Sequence, residues 1–245
     1  MEDIISGRNP VRELLKAGNK TVNKILISDK ARGDIIGEID RLARDRNIPV
    51  HHVPAERLDR LSIENNQGVV AEIAPVTYLD LDEIWNSIKE KRNPLLVVID
   101  GIEDPHNLGA IIRNAVTLGA DGVIIGKWRS VGLTESVAKA SAGASEYMPI
   151  ARVTNIAETV SRLKELGVWV VGADTTGKSV REERFAFPMA LVIGSEGEGL
   201  HRLVKERCDY LVSIPQTSPV SSLNASCASA VILYEIFLQK SLPKN

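Results

Sequence analysis

Cysteine is nearly missing from this chain: its 245 residues hold two, Cys208 and Cys227. Neither belongs to a CxxC pair, and no His/Cys cluster has zinc-ligand spacing, so neither disulfides nor a structural metal organise the fold. Both thiols are expected to be packed rather than reactive. Aromatic residues make up only 4%, too few for a broad platform on which nucleobases stack. An excess of one charge is also lacking. Thirty basic side chains face 32 acidic ones, for a net charge of -2, which excludes a protein that coats nucleic acid through a large positive field. A local basic face stays open, because Arg8, Arg12, Lys16, Lys20 and Lys24 have only Glu13 among them; a solvated helix face explains the same pattern. No apolar run is long enough to cross a bilayer, and the opening MEDIISGRNP is too acidic and polar for a secretion signal. These absences predict a reduced, cytoplasmic protein with no membrane partner and no metal.

What is present is an ordinary apolar content of 44% in a chain long enough for one large or two small domains. Helix and strand signals alternate over 1–75. RNPVRELLKAG (8–18) has proline near the start and glycine at the end of a helix. VNKILIS (22–28) reads as strand, DIIGEIDRLARDRN (34–47) repeats its apolar residues with a helical period, and IPVHHV (48–53), PAERLDRLS (54–62) and QGVVAEIA (67–74) read as strand, short helix and strand. The connector 76–93 holds an amphipathic helix (82–92) with Asp80 or Asp82 as its cap. Strands are expected at 95–99, 122–125, 147–151, 168–171, 190–193 and 210–213, and helices at 108–118, 155–166, 200–207 and 222–239. Apolar strands alternating with helices predict an α/β fold with a parallel sheet covered on both faces. The organisation is thus a small α/β domain over 1–75, a linker over 76–93, and a larger parallel-sheet domain over 94–245.

Three segments join a strand to a polar or glycine-rich loop and then a helix, the arrangement of a ligand site at the carboxyl edge of a parallel sheet. In DPHNLGAIIRNA (104–115), Asn107 is placed either to cap a helix that starts at Leu108 or to do chemistry. Arg113 lies inside an otherwise apolar helix, so it either faces solvent or meets an anion, because an unpaired buried charge is very costly. In LVIGSEGEGL (191–200), glycines let backbone approach a ligand, although a plain flexible turn reads the same way; Glu196 could bond a ligand hydroxyl or cap the next helix. In IPQTSPVSSLNASCASA (214–230), Ser221, Ser222 and Asn224 begin the last helix, as caps or as ligand-holding groups. GADTTGKS (172–179) fits the letters of a phosphate-binding P-loop, but no substantial helix follows before Pro188, so the match is read as a coincidence.

Together the three segments resemble the three signature motifs of the SpoU-type 2′-O-ribose RNA methyltransferases of the SPOUT superfamily. GRNPVRELL near the start and NNQGVVAE (65–72) resemble the substrate-binding domain of that family's rRNA branch, and the closest subgroup is the bacterial 23S rRNA guanosine 2′-O-methyltransferases. The resemblance implies a parallel-sheet catalytic domain with a deep trefoil knot, a homodimer, and S-adenosylmethionine as cofactor. It places Asn107, Arg113, Glu196, Ser222 and Asn224 in the catalytic machinery. It places Ala173, Asp174, Ile193, Gly194, Gly199, Ile214 and Leu223 around the cofactor, and RNA, 23S rRNA in the first instance, as the partner. Arg113 is the family's choice to activate the ribose hydroxyl; a guanidinium is a poor base, so anchoring the target's phosphate is the favoured role. The third motif departs from the family pattern at Gln216, Ser218 and Ala225, which bears on loop shape and cofactor affinity. The tRNA-modifying branch, a P-loop NTPase and a noncatalytic RNA-binding protein are the alternatives.

Overall fold

The computed structural model describes residues 3–18, 21–61, 66–73, 78–217 and 222–241. Contacts divide the chain into two compact units, Met1–Thr77 with Leu133–Tyr147, and Tyr78–Gly132 with Met148–Asn245. In the first unit, β1 (Asp3–Ser6), α1 (Arg8–Ala17), β2 (Val22–Ser28), α2 (Asp34–Asp45), β3 (Val50–Val53), α3 (Ala55–Leu61) and β4 (Val69–Ile73) form a mixed sheet in the order β1-β4-β2-β3. Strand β1, which the sequence reading leaves unassigned, gains its place by antiparallel pairing with β4. Leu14, Leu15, Ile25, Ile27 and Ile39 pack the core under α1 and α2, and Gly18, left-handed at φ 66, ends α1 as expected.

The second unit begins with α4 (Leu81–Ile88), then β5 (Leu95–Asp100), α5 (Pro105–Thr117) and β6 (Gly122–Gly126). Here the chain leaves for α6 (Glu135–Ala140) and a 3-10 turn (Ala144–Glu146), which group with the first unit. It returns through β7 (Ile150–Val153), α7 (Ile156–Glu165), β8 (Trp169–Ser179), β9 (Met189–Gly194), α8 (Arg202–Arg207), β10 (Tyr210–Ser213) and α9 (Ala225–Ser241). Six parallel strands run in the order β10-β8-β9-β5-β6-β7. Every residue of β5, β6 and β9 is buried, as a sheet covered on both faces requires.

The units differ from the domains read from the sequence. The stretch expected as a linker supplies α4, opened by an Asp80–Glu83 capping box, with Ile84 and Ile88 buried in the second unit's core. Leu133–Tyr147 belongs with the first unit because α6 packs on β1 and Ala138 joins that core. The expected boundary at 75–76 lies outside the described residues. Strand β7 starts three residues later than expected, since the Tyr147 N–H closes the 3-10 turn on the Ala144 carbonyl at 3.1 Å. Strand β8 runs eight residues further, through the false P-loop. Its register on β10 jumps between Leu211 and Val212, so residues 173–177 bow out before pairing resumes at Lys178. Gly177 is required there: a Cβ would lie 2.4 Å from the Leu211 carbonyl carbon.

Candidate active site

The carboxyl ends of β5, β8, β9 and β10 carry the loops that the sequence singled out. Helix α5 starts earlier than expected, with Asp104 as its cap, accepting from the His106 N–H at 3.1 Å, and Pro105 in its first turn. Asn107 is therefore inside the helix, not its cap, and its side chain is free for other work. Its Nδ2 donates to Glu196 Oε1 at 2.9 Å. Asn224 Nδ2 donates to Asn107 Oδ1 at 3.0 Å and also to the same Glu196 oxygen. One residue from each segment thus meets in a single hydrogen-bonded cluster.

Asn224 does a second job. Its Oδ1 accepts from the backbone N–H of Ser226 (2.9 Å) and Cys227 (3.2 Å), so it caps α9 while its amide nitrogen holds the cluster. The serine-cap reading thereby gives way to an asparagine cap; Ser221, with Ser218 and Pro219, lies outside the described residues. Further along the same helices, Asn114 Nδ2 donates to Ser226 O (2.9 Å) and Ser229 Oγ (3.0 Å), tying α5 to α9.

The glycine turn is closed by reciprocal backbone bonds between Ser195 and Gly199, both 3.1 Å. Gly194 cannot carry a side chain, since a Cβ would sit 2.2 Å from the Gly199 carbonyl carbon, and Gly199 is left-handed at φ 69. A cavity of about 270 Å³ opens against this turn. All seven residues expected around a cofactor line it: Ala173, Asp174, Ile193, Gly194, Gly199, Ile214 and Leu223; so do Glu196 and Ser222. Among the described residues its lining includes three carboxylates, Asp174, Glu196 and Glu198, and no cation. Burial works against the Asp174 charge, but Lys205 (2.8 Å) and Thr176 outweigh it and hold that carboxyl below its ordinary range. The apolar wall comes from Val212, Leu223 and Ile232.

A larger cavity of about 570 Å³ adjoins the other side of the turn, lined by Glu103, Asp104, Asn107, Arg129, Glu196, Glu198 and His201 among others. Ser195, Glu196 and Glu198 border both cavities. Sequence reasoning missed Arg129 and the pair Asp100–His201. Asp100, buried at the end of β5, accepts from the His201 backbone N–H (2.8 Å), and its other oxygen lies 2.9 Å from His201 Nδ1. This fixes the chain just past the glycine turn. An aspartate ending an apolar strand was the available signal.

Arg113 does not join the others. It is exposed on α5, lines neither cavity, and makes no hydrogen bond or ion pair with a described residue. The two thiols also part ways: Cys208 is half-buried and pushed up to about 12 by burial, whereas Cys227 is exposed, against expectation. No group of His, Cys, Asp and Glu among the described residues could hold a metal ion, and no helix among them is long and apolar enough to cross a membrane. The P-loop look-alike is strand: Lys178 sits in register with Val212, and the next helix is α8. A triphosphate would find neither a helix N-terminus there nor a cation lining the smaller cavity.

Comparison with known proteins agrees with this geometry. Residues 94–234 match the SpoU rRNA methylase family, and residues 4–79 match the RNA 2′-O ribose methyltransferase substrate-binding family. A Staphylococcus haemolyticus protein assigned to the TrmH family of tRNA/rRNA methyltransferases is 46% identical over 98% of this chain and 97% of its own. One from Bacillus subtilis, assigned likewise, is 42% identical over 98% and 96%. Among solved structures, the SpoU methyltransferase AviRb from Streptomyces viridochromogenes, in complex with AdoMet, superposes with a TM-score of 0.83 at 29% identity, covering 98% of this chain and 90% of that one. The AdoMet-bound rRNA methyltransferase from Sinorhizobium meliloti shares the fold, with a TM-score of 0.80 at 24% identity over 99% and 88%. Two family matches that together take in nearly the whole chain place it in the SpoU family of RNA methyltransferases.

Proposed function

We propose that this protein uses S-adenosylmethionine to methylate a ribose 2′-hydroxyl in RNA, with a guanosine of 23S rRNA as the target, in the cytoplasm. The observation that carries the reading is the Asn107–Glu196–Asn224 cluster beside the 270 Å³ cavity. The cavity's chemistry fits the cofactor. Carboxylates without a lining cation suit a molecule bearing a sulfonium and an ammonium, and Val212, Leu223 and Ile232 suit its adenine. When bound, the cofactor supplies a methyl group already activated for transfer. The chain's task is then to orient the acceptor hydroxyl and help it lose its proton. Asn107, Glu196 and Asn224 lock the three loops around that point, with Ser222 on the cavity wall.

Arg113 would fix the acceptor's phosphate, and as a guanidinium it acts as an anchor rather than a base. Because it lines neither cavity of its own chain, the reading includes a homodimer in which the partner subunit's Arg113 completes the site. Exposed Tyr234, Phe237 and Leu238 on α9, the helix that packs on α5, support such an interface. The trefoil threading implied by the resemblance belongs to the same proposal.

The test is labelled methyl transfer to rRNA taken from cells that lack the gene, followed by digestion to nucleosides. Label in 2′-O-methylguanosine from 23S rRNA is the expected result. Label only in tRNA would move the enzyme to the tRNA branch, and label in neither would overturn the reading.

A further inference from the structure

The rim beyond β6 differs from the rest of the described surface. Residues 127–132 form a loop pinned at both ends: the Lys127 N–H donates to Val153 O (2.7 Å) and the Val131 N–H to Ile102 O (3.0 Å). Between the pins Trp128 stands 69% exposed, the most exposed large apolar side chain among the described residues. Lys127 lies over its ring, 5.5 Å from the centroid. Arg129 holds a left-handed φ of 51, rare for a side chain of its kind, and it lines the 570 Å³ cavity with Asn107 and Glu196. At the loop's other end the Arg152 guanidinium lies 5.1 Å from the Tyr78 ring centroid, and both approach Gly132. Lys127, Arg129 and Arg152 make no ion pair with a described residue.

An exposed indole on a pinned loop is a surface awaiting a flat partner. Cations interleaved with aromatic rings are what a single nucleic-acid strand uses: a ring face for a base and positive charge for the phosphates. A duplex keeps its base faces stacked internally and would engage the charges alone.

We propose that loop 127–132 is a single-strand RNA platform. Trp128 stacks on a base flanking the acceptor nucleotide, and Arg129 holds the intervening phosphate at the mouth of the 570 Å³ cavity. The inference rests on the methyltransferase reading above and adds the route of the strand: over Trp128, past Arg129, and into the cavity that Asn107 and Glu196 share with the glycine turn.

The test is anisotropy of a labelled, mixed-sequence single-stranded oligoribonucleotide and of the duplex it forms with its complement, titrated with the full-length protein. Trp128→Ala should weaken single-strand binding about tenfold and leave duplex binding within about twofold. Trp128→Phe, which keeps a ring face, should restore most of the affinity. Arg129→Ala should lower the salt dependence of binding by about one phosphate contact. Calorimetry with S-adenosylmethionine should give the same affinity for all variants, showing that the cofactor cavity is intact. Unchanged single-strand affinity in Trp128→Ala, or an equal loss on duplex, overturns the platform. Neither result depends on methyl transfer, so wild-type protein that binds the oligonucleotide this way but methylates no RNA would sink the functional reading and leave the loop's role standing.

Discussion

In the unit built on β1 to β4, the cations of α1 and β2 meet carboxylates. Arg12 pairs with Glu13 at 2.8 Å, Lys16 with Glu38 at 2.9 Å, and Lys24 with Glu72 at 2.7 Å. Arg8 is used as a strut, donating to the backbone carbonyls of Gln67 and Arg32. In the unit built on the six-stranded sheet, Arg113, Lys127 and Arg129 meet no carboxylate among the described residues. The local basic face left open by the sequence is thus largely neutralised by Glu13, Glu38 and Glu72, with Lys20 outside the described residues. Arg113 on α5 and Lys127 and Arg129 on the loop after β6 are open to a polyanion, as are Lys30, Arg57 and Arg60 of the first unit, which also make no ion pair with a described residue. A count of charges along a chain reports composition; which of them a phosphate can reach depends on tertiary pairing.

Replacing the open cations should therefore matter most. Arg113→Ala is expected to lower methyl transfer by about a thousandfold while cofactor affinity, read by calorimetry, stays within about twofold; near-normal turnover would remove Arg113 from the site. Next is Asn224→Ala, which takes away both the α9 cap and the tie to Asn107 and Glu196. A loss of about a hundredfold in turnover should accompany a drop of about 1 kcal/mol in stability, seen together in kinetics and thermal unfolding. Lys16→Ala and Lys24→Ala, on the paired side of the comparison, should each change RNA affinity by less than about threefold, since Glu38 and Glu72 already offset their charge. A tenfold loss there would restore the first unit as the main electrostatic contact.

Smaller effects probe the supports. Asp121 is partly buried, which opposes its charge, but Lys240, the Leu95 N–H and Lys91 outweigh that and hold its carboxyl below the ordinary value. Its contribution to stability is complete above the unfolded value, about 3.9, and is lost as pH falls through the lower folded value. Asp121→Asn should flatten that acid limb of the stability curve; an unchanged limb would show that other carboxylates govern it. Last, a thiol reagent on the native protein should modify Cys227 and spare Cys208, whose thiol burial keeps protonated.

The strands of the large sheet were legible because burial on both faces leaves near-continuous apolar runs such as LLVVI and ALVIG. The three loops were legible because their chemistry is local. Elements set by distant partners were not. Strand β1 depends on β4, the second half of β8 on β10, and the position of Leu133–Tyr147 on β1. At the site, all seven residues expected around the cofactor line one cavity, whereas Arg129 and His201 escaped notice because their importance comes from which loops they neighbour. The helix start at Pro105 rather than Leu108 shows the reverse case. Asp104 followed by proline is a stronger start signal than an asparagine before leucine, and reading it correctly would have released Asn107 from the capping role at once.

Because the same amide of Asn224 both starts the final helix and clasps the two other loops, fraying of that first turn and disassembly of the pocket are one event. Any molecule that settles against Leu223 and Ile232 must then slow hydrogen exchange at the Ser226 and Cys227 amides, far along the chain from the glycine turn. Occupancy of the pocket can in this way be read from the backbone of a helix.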